Sequence, residues 1–370
     1  MQNTISLLKI HPDSLTSLRF FAVMLILAHH LRQPLLPHLL LDKRFDNAGI
    51  LGVTFFLFLS GFVLPLNYGR CRSLKEYSCF LWNRIVRIYP VHIFTFILSV
   101  VLLILYYDPI KPSIAVINIF LLQAYFPYQR IFFSFNSVSW ILSTLFFFYF
   151  IFPAVNQRPK LLWGAILSSA GCLLLSIAYI ETSQNPPILW LLYICPPIRL
   201  LVCLAGVSSS MLFSALYQKL KYSKGKFLAS MLELFSLLLL TDFIFWGNLT
   251  CFLDRLLFMV PFKKSIHPLN LYFIASTLPV FFIIIAFGLE GGVVSQFLTR
   301  RIFVFLGNIS FSLFMVHQLF FRFLGLFRES FFKTLGVSAT IILAVIMVIP
   351  FSFLIYRYIE DPIRRRLQIH

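Results

Sequence analysis

The sequence predicts an all-α, polytopic integral membrane protein of about ten transmembrane helices, and three observations predict it. Of 370 residues, 59% are hydrophobic and only 12% are charged, whereas a soluble domain carries roughly 25% charged residues; the mean hydropathy is +0.88. Apolar runs of about 20 residues recur along the chain, the length that crosses a bilayer with every backbone polar group satisfied inside a helix. The basic residues fall mostly in the short segments between those runs.

The first run, 15–31, has Lys9 and Asp13 before it and Arg19 near its start, with no small-residue cleavage pattern behind it, so it stays in the membrane as helix one. The second, 49–67, carries Gly52, Ser60 and Gly61, small groups spaced for close helix contact. The third, 88–107, follows Arg84 and Arg87. Runs over 138–156, 161–181, 196–217 and 227–247 supply the next four. In the last of these Glu233 and Asp242 lie about 180° apart around the helix, so they form no paired-carboxylate site and each is expected to pair with a neighbouring helix. Runs over 271–290, 303–324 and 336–357 complete the set. Two stretches fall short of a span: Ser113 to Tyr125 is apolar but brief, interfacial or re-entrant, and Ile188 to Cys195 is cut off by Pro196-Pro197. The chain reads as a single transmembrane domain over 1–370, with no appended soluble domain, convincing repeat or low-complexity tail.

The net charge of +18 would suit a nucleic-acid partner, but its placement between spans reads as topology and excludes a binding stripe. One side collects Lys9, the run Arg70 to Arg87, Arg158, Lys160, the cluster Lys219 to Lys226, Arg300, Arg301 and Arg364 to Arg366; the other collects Arg32, Lys43, Arg44, Lys111, Arg130, Arg255, Lys263, Lys264, Arg328 and Lys333. That is 17 against 10 once the four arginines inside spans are left out, and it puts both termini in the cytoplasm. The six cysteines, Cys71, Cys79, Cys172, Cys195, Cys203 and Cys251, show no CxxC or Cys/His spacing, so no metal site is expected and they read as small apolar groups. The 45 phenylalanines suit a lipid-facing surface and carry no function.

Ionisable groups inside apolar runs are costly and mark candidate chemistry. Arg19 and His30 are eleven residues apart, which is about 20° from a whole number of turns, so they share a face about 16 Å apart along the axis. Coenzyme A, with phosphates at one end and a thioester at the end of a long arm, fits that geometry; so does a plain reading in which Arg19 anchors at the headgroups and His30 is interfacial beside His29 and Arg32. Arg84, Arg87 and Tyr89 at the start of helix three suit bidentate phosphate contact or, equally, anchoring. His317 shares its helix with Asn308, Ser310 and Ser312, and Ser310 and His317 share a face; this polar stripe either bonds between helices or lines a donor tunnel. There is no GxSxG, HExxH, P-loop or GxGxxG after a strand, and the HxxxD of His38 to Asp42 is one residue short of the glycerolipid acyltransferase motif.

Six segments in order resemble the membrane acyltransferase 3 family. They are Arg19 with His30 (Arg-x10-His), Gly52 to Gly61 (GVxxFFxLSG), Arg84 to Pro90 (RxxRIYP), Trp140 to Pro153 with Ser143 and Tyr149 (WxLSxExxFYxxxP), Leu306 to His317 (LGxxSYSLYLxH), and Tyr356 to Pro362 with Glu360 (YxxIExP). Two positions depart: Thr54 stands where the family often has an acid, and Leu145 where it has a glutamate. Neither can act as a carboxylate, so either proton handling rests on His30 with other helpers, or the acceptor differs from that of better-known members.

The resemblance implies a bacterial inner-membrane enzyme that moves an acyl group, typically acetyl, from cytoplasmic acyl-CoA to a hydroxyl of an envelope glycan such as lipopolysaccharide or its lipid-linked precursor. It implies His30 as general base with Arg19 beside it in catalysis, donor phosphates held by Arg19, Arg84 and Arg87 with Tyr89, and Ser60, Trp140, Ser143, Tyr149, Ser310, Ser312, His317 and Glu360 lining the tunnel or acceptor site. Acyl-CoA is then a co-substrate and no bound cofactor or metal is implied; membrane lipids surround the chain, nucleic acid is no partner, and the oligomeric state and any acyl-enzyme on His30 or Ser60 are left open. The rival reading is a transporter or flippase of a lipid-linked sugar, which would also show many helices and intramembrane Arg and His; the inverted repeats that it calls for are not visible in the sequence.

Overall fold

The computed structural model describes residues 12–31, 44–223, 226–249 and 268–369. The HxxxD of His38 to Asp42, Arg32, Cys251 and the basic residues Lys9, Lys43, Lys224, Arg255, Lys263 and Lys264 lie outside them. Every regular element among the described residues is helical, and each of the ten sequence-derived spans has its helix. The long helices are α1 (Asp13–His30), α2 (Arg44–Asn67), α3 (Leu74–Leu105), α4 (Trp140–Val155), α5 (Pro159–Thr182), α6 (Pro196–Ser223), α7 (Lys226–Thr241) and α8 (Pro268–Gly288). They are followed by α9 (Arg301–Asn308), α10 (Ser310–Gly325), α11 (Val337–Ile355) and α12 (Asp361–Leu367). Among the described residues seven helices are long and apolar enough to cross a membrane, and an eighth if the bent pair α9 and α10 is one span. The fold is that of a multi-pass membrane protein.

Two boundaries differ from the sequence reading. α3 starts at Leu74, well before the apolar run, because Ser73 caps it by accepting the Glu76 amide at 3.2 Å while Glu76 accepts the Arg72 amide at 2.8 Å. With 32 residues it is about 48 Å long and outruns the hydrocarbon core, which carries Arg84 and Arg87 at mid-helix rather than at its start. The run 303–324 is not one straight helix: α9 and α10 meet at 58° around Ile309, where Gly307, Asn308 and Ser310 supply weak helix formers and a Gly/Ser break. Of the two short stretches, the first becomes a helix Pro112–Ile119 and a 3-10 turn Gln123–Tyr125, and the second a π turn Trp190–Ile194 before α6.

α2 is the hub, packed on α1, α6 and α8, while α10 packs on α1, α3 and α11. Small residues permit this. A Cβ on Gly61 would fall on the carbonyl of Cys203 in α6, and one on Gly206 of α6 would fall on the carbonyl of Phe58 in α2; Gly52 meets Ala22 and Ile26 of α1, and Gly307 meets the Thr16 carbonyl. Gly61→Ala should therefore lower the stability of purified protein by about 1–3 kcal/mol through overpacking, read as a drop in melting temperature in detergent. Gly164→Ala is the control, since nothing lies within 4 Å of its Cβ. Glu233 does pair with a neighbour, accepting the amides of Val294 at 2.9 Å and Ser295 at 3.3 Å. Asp242 instead accepts from Asn248 at 2.8 Å and from the Leu249 amide at 3.0 Å, closing its own turn.

Candidate active site

α1 carries Arg19 and His30 into two different cavities. The first, about 130 Å³, is lined by Arg19, Ser60 of α2, Arg84 and Arg87 of α3, Leu145 and Tyr149 of α4, the α9–α10 break with Asn308 and Ser310, Glu360, and Arg364 of α12. The bend at Ile309 brings the start of α10 to its wall, and the π turn Tyr356–Glu360 that interrupts the end of α11 brings Glu360 there. π turns of this kind recur at functional sites.

Four guanidinium groups share this cavity with one carboxylate, Glu360. Arg364 is matched by Asp361 at 2.6 Å, and Glu360 accepts from Ser312 Oγ at 2.6 Å. Among the described residues no carboxylate lies within ion-pair distance of Arg19, Arg84 or Arg87. Arg84 is 8% exposed, donates to Tyr68 Oη at 2.5 Å and stands 5.1 Å from the centre of that ring and 5.6 Å from that of Phe80, while its Nε has no partner. A buried cation without a carboxylate partner is costly, and such a cluster is chemically suited to an anion.

The second cavity, about 680 Å³, is lined by His30, His29, Asp46, Trp140, Tyr193, Gln129, Ser137, Gln318, Arg322 and flanking apolar groups. His29 Nδ1 lies 3.1 Å from Asp46 Oδ1, Ser137 Oγ donates to Gln318 Oε1, and Arg322 donates to the Phe135 carbonyl at 3.3 Å. Phe56 lines the first cavity and Phe314 the second, and their ring centres are 5.9 Å apart. Packed together, these rings form part of the septum between the two.

His317 of α10 is fully buried and lines neither cavity; its Nε2 is 3.1 Å from His30 Nδ1. The structure thus splits the residues singled out above. Arg19, Ser60, Arg84, Arg87, Tyr149, Ser310 and Glu360 gather in the first cavity, and His30 and Trp140 in the second. Ser312 acts on the first through Glu360. Ser143 is buried and lines neither cavity. Tyr89 stands apart from the arginine cluster, packed edge-on to His92 and Phe146, because it lies two positions past Arg87 and so about 200° around α3. Arg364, Asp46, Tyr193 and Gln318 are lining residues that the sequence did not single out; Arg364 had only its charge to mark it, and that charge counts equally as a topological anchor.

Thr54, at the position where the resemblance calls for an acid, bonds Ser276 Oγ at 2.9 Å inside the core. Leu145, where it calls for a glutamate, lies in the arginine cavity. No solved structure matches the chain. The acyltransferase MdmB of Streptomyces mycarofaciens is 30% identical over 220 residues, which cover 52% of this chain and 55% of that relative; the chain thus matches about half the length of this curated relative. The family model described as an acyltransferase domain, that of the acyltransferase 3 family, matches residues 13–357, and the chain belongs to this family.

Proposed function

We propose that this membrane acyltransferase moves an acyl group, in the simplest case acetyl, from acyl-CoA in the arginine cavity to a hydroxyl of an envelope glycan, or of its lipid-linked precursor, in the second cavity. The observation that carries the reading is that one helix places an unpaired arginine in one cavity and an imidazole in the other, about 16 Å apart along its axis. In the first cavity, Arg19, Arg84 and Arg87 suit phosphate groups, which guanidinium forks bind bidentately. The N-terminus of α10 adds its positive dipole end, and Leu145 in place of an acid leaves the charge there more positive. In the second, Trp140 and Tyr193 offer aromatic surface, and Asp46, Gln129 and Gln318 offer hydrogen-bonding groups suited to a hydroxyl-rich ring.

The steps balance with these residues alone. His30 takes the acceptor hydroxyl proton while the oxygen attacks the thioester carbonyl; the C–S bond then breaks, and the imidazolium returns the proton to the departing thiolate, leaving an ester and free coenzyme A. A neutral imidazole is the side chain most often used for such a proton transfer. Ser60 donates to the Phe56 carbonyl at 2.8 Å in a cavity that no imidazole lines, so direct transfer is favoured over a seryl intermediate.

Purified protein should hydrolyse acetyl-CoA slowly without acceptor; its complete failure to do so would favour the transporter reading. Arg84→Lys and Arg87→Lys should each weaken acyl-CoA binding by roughly tenfold, the worth of one charge-assisted bond at about 1.5 kcal/mol. Binding of a short acyl-pantetheine that lacks the nucleotide should hardly change. Equal losses for both donors would point to a folding role for these arginines.

A further inference from the structure

Resting on His30 as the base, we infer that His317 is a positioning residue that fixes His30 in the tautomer whose free lone pair is on Nε2. His317 Nδ1 lies 2.7 Å from the Phe314 carbonyl, its Nε2 lies 3.1 Å from His30 Nδ1, and His30 Nδ1 lies 3.0 Å from the Ile26 carbonyl. Carbonyls only accept, so the protons are assigned by their partners. His317 carries its hydrogen on Nδ1 and presents a lone pair at Nε2. The hydrogen between the rings therefore belongs to His30 Nδ1, shared between the Ile26 carbonyl and His317. That leaves Nε2 as the basic nitrogen of a residue that lines the second cavity.

The same arrangement governs where the proton stays during turnover. Once His30 has taken a proton, its Nδ1–H bond to His317 becomes charge-assisted and roughly twice as strong as a neutral one. Moving that proton on to His317 would charge a ring with 0% exposure, at the cost of a buried, unpaired cation. Among the described residues the other ionisable groups around His30 are His29 on α1, its ring centre 4.9 Å away, and Asp46 on α2, 3.1 Å from His29 Nδ1; Arg322 of α10 and Tyr193 line the same cavity. Thr54, where an acid is expected, is bonded to Ser276. His317 thus stands where a base is usually steadied by a carboxylate, and it holds the imidazolium without competing for its proton.

Two conservative variants separate this role from packing. In His317→Asn the amide reaches the Nδ1 position, so it keeps the Phe314 contact and loses the one to His30; in His317→Gln the amide oxygen reaches the Nε2 position and accepts from His30. We expect His317→Gln to keep kcat within about tenfold, and His317→Asn to lower it by roughly 10²-fold or more, on the scale of a misheld base. The donor KM should change little in either, and His317→Asn should shift the pH profile of kcat/KM. In a His30→Ala background, His317→Asn should cost no further activity, since the two residues act as one unit. Equal kcat for the two variants at equal melting temperature would overturn the inference. So would an undiminished further loss in the His30→Ala background, which reads correctly even if His317→Asn disturbs folding. If His30→Ala itself retains transfer, it is the assignment of the base that fails.

Discussion

Replacing His30 with alanine is expected to leave expression and insertion intact and to lower acyl transfer by about 10²- to 10⁴-fold, the usual loss on removing a general base. Folding should survive because His30 is the last residue of α1 and borders a cavity, so that little packing is lost. The loss should fall on kcat rather than on the donor KM, because the arginines that engage phosphates line a different cavity. His29 is the internal control: it lies about 100° around the helix from His30, with its Nδ1 3.1 Å from Asp46 Oδ1. His29→Ala should then be mild. Steady-state transfer by purified variants checks this, and retained activity in His30→Ala with loss in His29→Ala would sink the assignment.

Much of the architecture was legible because the membrane imposes one rule on every segment, and apolar runs of about 20 residues cannot hide. The shared face of Arg19 and His30 was legible for the same reason, since helix periodicity fixes it. What periodicity cannot show is where a face leads. Arg19 and His30 open into separate cavities, and part of the wall between them is Phe56 against Phe314, from helices distant in sequence. The bend at Ile309 had a local signal in Gly307, Asn308 and Ser310, but not the close approach of Gly307 to the Thr16 carbonyl of α1 that accompanies it. The contact of His317 with His30 joins residues 287 positions apart. The polar stripe on α10 marked His317 as unusual, and the missing acid at position 54 left either another helper for His30 or a different acceptor; only the fold sets His317 beside His30.

Acyl transfer should run across the membrane, with the acyl group crossing and the nucleotide not. We propose from the basic tally that the amino terminus is cytoplasmic, which sets Arg19 near the inner interface and His30 about 16 Å further out, over half of a hydrocarbon core of about 30 Å. The arginine cavity then faces the donor's compartment, and the second cavity faces the other. The first cavity measures about 130 Å³, and where it borders the second the rings of Phe56 and Phe314 pack with their centres 5.9 Å apart. Three arginines without carboxylate partners oppose any onward movement of the phosphates they bind. In sealed, uniformly oriented vesicles, labelled acetyl-CoA supplied on the cytoplasmic face should therefore acetylate acceptor enclosed on the opposite face, and free coenzyme A should be recovered on the donor side. Enlarging the septum with Phe56→Ala should raise acceptor-independent hydrolysis, because water gains a route to the thioester. Labelling that occurs only when both substrates share the cytoplasmic face would contradict this geometry and return His30 to the role of an interfacial residue.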